Sequence, residues 1–276
     1  LSKRNPQLKQ ATSADGTRIT FAHYPASATV RQRVALLHSL AMDHTFWDGV
    51  VNALDDNIEI IAIDARGHGR SDKPAGPYTT ELFADDLEAI FATVRWESAV
   101  VAGASMGGCV TLAFAGKYPQ RVAGLGLIDT TAWYGEDAIV AWEERGQKAI
   151  AGGMTALAGF QKKRWFGDAF IEAQPKLVEE SLDVFFRNDP EPYLETCRML
   201  GNGDSRNVLD KIDVPTAILV GEEDYATPIA MAEQMNAAIA NSTLEIIKAA
   251  RHYTPIEVPE IIASALNDVF NRIDQS

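Results

Sequence analysis

Gly103-Ala104-Ser105-Met106-Gly107 sets a serine between two glycines, with Ala99-Val100-Val101-Ala102 before it and a helix-forming stretch after it. The spacing is that of a G-x-S-x-G nucleophile elbow. Such a turn strains the serine backbone, leaves no room for flanking Cβ atoms, and points helix N-terminal amides at a developing negative charge. A small-residue turn that only packs a helix on a strand is the plain alternative, and the strand-turn-helix context argues against it.

A serine nucleophile needs a base, and histidine has the fitting pKa. The chain has five histidines. His23 lies in an apolar strand, His44 near a helix start beside Asp43, and His68 in the tight loop Asp64-Ala65-Arg66-Gly67-His68-Gly69-Arg70-Ser71, all places where structural roles prevail. His38 ends a buried strand but precedes the elbow, whereas His252, in Ala250-Arg251-His252-Tyr253, occupies a loop between the last strand and the last helix. His252 is therefore the expected base. The carboxylate that holds its tautomer is expected in Val220-Gly221-Glu222-Glu223-Asp224, where Asp224 leaves a strand end between serine and histidine in chain order. Asp129, at the end of the preceding strand, is its rival, and Glu222 and Glu223 are weaker ones.

These residues need strands to carry them. Apolar runs fall at residues 18–24, 34–38, 58–63, 99–102, 122–128, 216–220 and 244–247. Continuous Val/Ile/Leu runs suit strands buried on both faces of a mostly parallel sheet. Helical patterns at 44–54, 79–94, 106–118, 229–240 and 259–273 alternate with them, which predicts a doubly wound α/β core. From 131 to 210 the pattern is helical only, at 138–150, 154–162, 176–187 and 193–200. Residues 1–130 and 211–276 are thus expected to form the core, and 131–210 a helical cap over the strand ends. The uncharged stretch 98–116 has the length of a membrane span, but its glycine-rich centre reads as strand, turn and buried helix.

With 276 residues, 46% hydrophobic and 23% charged, the chain has an ordinary globular composition and can bury about three quarters of its unfolded surface. Its 25 basic and 38 acidic residues give a net charge of −13. That charge repels phosphate backbones and anionic lipid, so neither nucleic acid nor a membrane is an expected partner. Cys109 and Cys197 are too few for a disulfide framework or a zinc site, and a reduced, cytoplasmic setting is expected. Leu1-Ser2-Lys3-Arg4-Asn5-Pro6 has no apolar run behind its charges and does not read as a secretory signal.

With these motifs in place, the chain resembles an α/β-hydrolase-fold serine hydrolase along nearly its whole length: His38-Ser39-Leu40, the loop 64–71, the 103–108 elbow, Gly221-Glu222-Glu223-Asp224 and the late His252. Serine at 105 separates it from haloalkane dehalogenases and epoxide hydrolases, which place an aspartate there. Ser39-Leu40, where most relatives have a glycine after the histidine, is similar to the Asn-Ser-Leu loop of bacterial 3-oxoadipate enol-lactonases. Gly76-Pro77-Tyr78-Thr79, Arg164-Trp165-Phe166 and Ala226-Thr227-Pro228 add to that likeness. The chain differs from those relatives at Arg251, where a small residue is usual, and at Trp133-Tyr134, where small or basic residues are.

The resemblance implies hydrolysis of a small ester or lactone, 3-oxoadipate enol-lactone among them, by Ser105 with Asp224 and His252. It implies an oxyanion hole made by the amides of Leu40 and Met106, with the Ser39 hydroxyl as an auxiliary donor. Trp133, Trp142 and Trp165, three of five tryptophans, lie in the expected cap and are candidates to wall an acyl pocket with Ser39 and Tyr253. Lys162, Lys163, Arg164 and Arg198 are the cap cations available to a substrate carboxylate. Such chemistry needs neither a metal nor an organic cofactor. The partners implied are a small-molecule ester or lactone and, left open, further copies of the chain. General carboxylesterase or perhydrolase activity, carbon–carbon bond hydrolysis and a non-catalytic ligand receptor on the same scaffold are the competing readings.

Overall fold

The structure, a computed structural model, describes residues 4–27 and 29–275; of the N-terminal residues weighed as a leader, Leu1, Ser2 and Lys3 lie outside these. Among the described residues, eight strands form one sheet: β1 Gln7–Thr12, β2 Arg18–Tyr24, β3 Gln32–Leu37, β4 Ile58–Ile63, β5 Ala99–Ala104, β6 Val122–Ile128, β7 Thr216–Gly221 and β8 Ser242–Ile247. The order is β1-β2-β4-β3-β5-β6-β7-β8. β2 pairs antiparallel with β1 and β4, and all other pairs are parallel.

Every residue of β5 and β7 is buried, because helices cover both faces of the central sheet; this is why these strands read as unbroken apolar runs. Thr80–Val94 packs with Met106–Lys117, and Asp48–Ala53 packs with Pro259–Asp274. The helix expected at 44–54 is two pieces. A 3₁₀ turn, His44–Trp47, is capped by the Asp43 side chain accepting from Thr45 N at 3.0 Å, and the α-helix Asp48–Ala53 follows. β1 had no apolar signature, since of its residues only Ala11 is buried; hydrogen bonds to β2 hold this edge strand in place.

Between β6 and β7 lie the helices Ala138–Gly152, Ala158–Trp165, Asp168–Ala173, Pro175–Phe186 and Pro190–Asn202. Asp168–Ala173 was not foreseen, being too short to display a helical period. Residues 98–116 form β5, the turn and part of the helix Met106–Lys117, and no helix among the described residues is long and apolar enough to cross a membrane.

Because β3, β5, β6, β7 and β8 run parallel, the loops 38–43, 129–134, 222–228 and 248–253 gather with Ser105 at one sheet edge. Outside the carboxyl ends of the strands is where open α/β sheets bind ligands. The loop after β4 is structural. Arg66, 1% exposed, gives Nε and Nη2 to Asp86 at 2.7 and 2.6 Å and Nη1 to Asp15 at 2.9 Å. Its carbonyl accepts from His68 Nδ1 at 2.9 Å.

Removing the Asp86 carboxylate strands a buried guanidinium. Asp86→Ala is therefore expected to destabilise the fold by about 3–5 kcal/mol in urea unfolding. Asp15→Ala, which removes an exposed partner, is expected to cost about 1 kcal/mol or less. Equal losses would show that Asp86 does not carry the charge.

Candidate active site

β5 ends in a backbone that must reverse into a helix at once. Ser105 takes φ 53° and ψ −114° there. A Cβ at Gly103 would collide with the Gly107 backbone, and one at Gly107 with the Leu37 carbonyl, so the turn closes only with both glycines. The strained serine is held from both sides: its N–H donates to Ile128 O at 2.9 Å, and its carbonyl accepts from Thr130 Oγ1 at 2.7 Å.

The Ser105 hydroxyl meets His252 Nε2 at 2.9 Å, and His252 Nδ1 meets Asp224 Oδ2 at 2.8 Å. All three residues are buried. A carboxylate only accepts, so Nδ1 carries the hydrogen and Nε2 is left to accept from serine. Asp224 is fixed in turn: Oδ1 accepts from Ala226 N at 2.7 Å and Thr227 N at 3.0 Å, and Oδ2 from Thr227 Oγ1 at 2.8 Å. Burial works to raise its pKa, but His252 and these donors outweigh it and hold the carboxyl below its ordinary value.

Asp129, the rival acid, faces elsewhere. Its oxygens accept from Gly221 N at 3.0 Å, Thr254 N at 3.1 Å and Thr254 Oγ1 at 2.6 Å. It thereby ties β6 to the loops bearing Asp224 and His252. Burial, and after it the charge of Asp224, push its carboxyl well above the ordinary value. The ionised partner of the imidazole is thus Asp224.

The loop after β3 is pinned underneath. His38 Nδ1 donates to Ser39 O at 2.7 Å, and its Nε2 accepts from Ala65 N at 3.1 Å. Ala41, at φ 61°, turns the chain so that Met42 N donates to Ser39 O at 3.1 Å. Ser39, Leu40 and Met106 are buried around Ser105. Further along, Asp64 Oδ1 accepts from both His44 N at 2.8 Å and His44 Nδ1 at 2.7 Å.

Burial opposes a charge on His44, yet Asp64, helped by Asp43 and Asp48, brings its pKa above the ordinary value. Asp64 is held below its own value, despite its burial, chiefly by His44. Stabilisation from His44 is full below about pH 6.5 and is lost as pH rises through its higher folded value. That from Asp64 is present above about pH 4 and lost as pH falls through its lower folded value. The stability gap between wild type and His44→Gln is therefore expected to peak between about pH 4 and about pH 6.5 and to shrink on either side. Urea unfolding across that range reads it, and a gap that is flat with pH would contradict the ion pair.

A cavity of about 590 Å³ opens above Ser105 and His252. Ser39, Leu40, Trp142, Trp165 and Tyr253 line it, as does Ala226 from the Asp224 loop. Trp165 stacks on Tyr253 with centroids 4.7 Å apart and 12° between planes. Trp133 does not belong to this wall: it bridges to Asp204, and the Arg206 guanidinium sits 3.8 Å from its ring centroid. The next residue, Tyr134, faces the cavity instead; a loop leaving a strand end does not keep the strand's alternation, so sequence could not say which of the pair turns inward.

Of the expected cap cations only Arg164 lines the cavity, while Arg198 pairs with Glu143 and Glu195 at 2.7 Å each. Sequence reasoning missed Arg145 and Lys148, which share the lining with Glu144. Their signal was present: 142, 145 and 148 recur at three-residue spacing on the helix Ala138–Gly152. Arg145 Nε donates to the Tyr193 hydroxyl at 2.7 Å rather than to a carboxylate. Burial, then the neighbouring Arg145 charge, lower the pKa of Arg164, as expected of two cations sharing one enclosure.

Arg251 ties this wall to the loop that carries His252. Its Nε pairs with Glu223 at 3.1 Å, outside the Asp224–His252 bond and between the same two loops. Its Nη1 donates to Lys163 O at 3.0 Å and Phe166 O at 2.8 Å. Tyr253 N donates to Trp165 O at 2.9 Å. The helical segment is thus fastened to the loop that carries His252.

Known proteins extend this picture. A family model described as alpha/beta hydrolase fold matches residues 32–259. 3-Oxoadipate enol-lactonase 2 of Acinetobacter baylyi is 30% identical over 244 residues, which cover 88% of this chain and 90% of that protein. Among solved structures, the enol-lactonase from Burkholderia xenovorans LB400 is 29% identical with a TM-score of 0.88, covering 95% of this chain and 100% of that one. A thermophilic esterase from Thermogutta terrifontis is 27% identical with a TM-score of 0.89, covering 97% of this chain and 99% of that one.

Proposed function

The chain belongs to the α/β-hydrolase fold family, and from that premise we propose that it is a serine hydrolase cleaving a small, carboxylate-bearing ester or lactone through an acyl-enzyme. The observation that carries this reading is the hydrogen-bonded series Ser105–His252–Asp224 at the floor of the cavity. His252 takes the serine proton as Oγ adds to the substrate carbonyl. The amides of Met106 and Leu40 receive the oxyanion, each such donor being worth about 3 kcal/mol. The protonated His252 then passes its proton to the leaving oxygen, and water activated by the same imidazole opens the acyl-enzyme. Protein groups and water suffice for every step.

Residues 131–210 act as a cap on a core of residues 1–130 and 211–276. The two arginines it presents, Arg145 and Arg164, suit a substrate carboxylate. They supply locally the attraction that a net charge of −13 denies globally. The enol-lactonase relatives make 3-oxoadipate enol-lactone the first substrate to try. The free, buried cysteines Cys109 and Cys197 fit a reduced, cytoplasmic setting.

The test is a panel of 3-oxoadipate enol-lactone, neutral lactones, p-nitrophenyl esters and ring-cleavage dienones, assayed with wild type and Arg145→Ala. Arg145→Ala is expected to raise KM for carboxylated substrates by about 10- to 100-fold and to leave neutral esters nearly unchanged. Equal KM changes for charged and neutral substrates would remove the carboxylate from the assignment and leave a general carboxylesterase. That second reading is favoured by Phe160, 79% exposed at the same cavity, which suits an apolar acyl chain.

A further inference from the structure

His252 sits on a loop, yet its Nε2 must meet the Ser105 hydroxyl at 2.9 Å while its Nδ1 meets Asp224 at 2.8 Å. Loops hold such geometry only when other groups fix them. Both chain neighbours of His252 are bonded to the end of the helix Ala158–Trp165, which carries Phe160, Gln161, Arg164 and Trp165 of the cavity wall. The last carbonyls of a helix have no partner within it. Here Lys163 O and Phe166 O accept from Arg251 Nη1 at 3.0 and 2.8 Å, and Trp165 O accepts from Tyr253 N at 2.9 Å. Glu257 closes the same joint: its Oε1 accepts from Gly167 N at 2.8 Å and its Oε2 from Arg251 N at 3.0 Å.

One side chain extends this joint to the acid. Arg251 Nε donates at 3.1 Å to Glu223, the residue before Asp224, and Glu223 N donates in turn to Ala250 O at 2.9 Å. The guanidinium thus spans the end of the cap helix, the loop of the acid and the loop of the base. Its side chain is 9% exposed, whereas those of its carboxylate partners Glu223 and Asp168 are 43% and 74% exposed. Removing Arg251 therefore strands no buried carboxylate, and the variant is expected to fold.

We propose that Arg251 is a positioning residue for the triad, one that holds the Asp224 and His252 loops against the cap helix so that His252 faces Ser105 in its reacting geometry. The proposal rests on the reading of His252 as the base. A misplacement of about 1 Å can cost about 100-fold in rate. The planar fork of an arginine resists such a shift by bonding in several directions at once, which a single ammonium does not match. Arg251 lies outside the lining of the cavity, so its loss acts on the chemical step and leaves the binding of a neutral ester nearly as it is.

Arg251→Ala is expected to lower kcat for p-nitrophenyl butyrate by about 10- to 100-fold and to leave KM within about threefold of wild type. Labelling by a fluorophosphonate, in which Ser105 Oγ bonds phosphorus, fluoride leaves and His252 Nε2 takes the proton, is expected to slow by the same factor. A loss of stability alone would leave both rates unchanged in the folded fraction, which a melting curve measures. Guanidinium chloride at about 20 mM, far below unfolding concentrations, is expected to refill the vacated space and raise the kcat of Arg251→Ala about fivefold. Sodium chloride at the same concentration is expected not to. Arg251→Lys, which keeps the charge and offers one nitrogen, is expected to fall between wild type and Arg251→Ala, and it carries the test if the alanine variant does not fold.

A folded Arg251→Ala or Arg251→Lys with wild-type kcat and labelling rate overturns the proposal. A higher KM with unchanged kcat overturns it too, and makes Arg251 a support of the binding wall. Rescue by sodium chloride equal to that by guanidinium also overturns it, because the loss would then be one of charge screening. A His252→Ala variant with wild-type kcat instead contradicts the reading of His252 as the base, a failure distinct from that of Arg251 alone.

Discussion

Ser105→Ala is expected to lower kcat for a p-nitrophenyl ester by about a millionfold while leaving KM within a few-fold of wild type. The variant deletes the atom proposed to form the acyl bond but keeps Leu40, Met106 and the cavity, so substrate is expected still to bind. Oxyanion donors and positioning alone leave a residual acceleration of about 10³–10⁴ over water. The fold is expected to hold, because Ser105 is fixed through its backbone, by Ile128 O and Thr130 Oγ1, and alanine retains that backbone. Steady-state kinetics with a melting curve beside them make the check. Retention of even a hundredth of wild-type kcat in a preparation free of wild-type enzyme would remove Ser105 from the nucleophile's place.

Asp224→Asn is expected to lower kcat by about 10⁴. An asparagine can turn its amide N–H₂ toward His252 Nδ1, which then accepts rather than donates; the proton moves to Nε2, and the ring no longer accepts from Ser105. Asp129→Asn gives the contrast. It keeps one carbonyl oxygen but sets an N–H₂ against the donors of Gly221 or Thr254. Its expected effect is a loss of about 1–3 kcal/mol of stability with kcat reduced less than tenfold. The reverse pattern, a dead Asp129→Asn and an active Asp224→Asn, would move the acid to β6.

Much of the fold was legible because burial and sequence carry the same signal in a parallel sheet: a strand covered on both faces is buried at every residue and apolar along nearly all of its length, as β5 and β7 are. β1 escaped because an antiparallel edge strand is held by backbone hydrogen bonds that leave its side chains in solvent. The elbow was legible because its constraint is local, two glycines and a serine within one turn. Chain order favoured Asp224 but left Asp129 as a rival, since both leave strand ends; the His252 Nδ1 bond to Asp224, and the different donors around each carboxylate, separate them.

The cavity wall was the least legible part. Trp133 turns toward Arg206 while Tyr134 turns inward, a choice made by loop geometry without a period. Arg198 is outward and salt-bridged, whereas Arg145 is inward. Helical spacing could have grouped Arg145 with Trp142, but which helix face meets the core depends on packing between helices distant in sequence.

The central claim is that Ser105 is an activated nucleophile. Its most direct measurement is intact-protein and peptide mass spectrometry after treatment with a fluorophosphonate, which captures a serine oxygen only where a base and an oxyanion site act on it. The expected result is one phosphonyl group per chain, on the peptide containing Ser105, with no labelling of Ser105→Ala. Labelling that persists in Ser105→Ala, or a folded wild type that takes up no phosphonate, would contradict it.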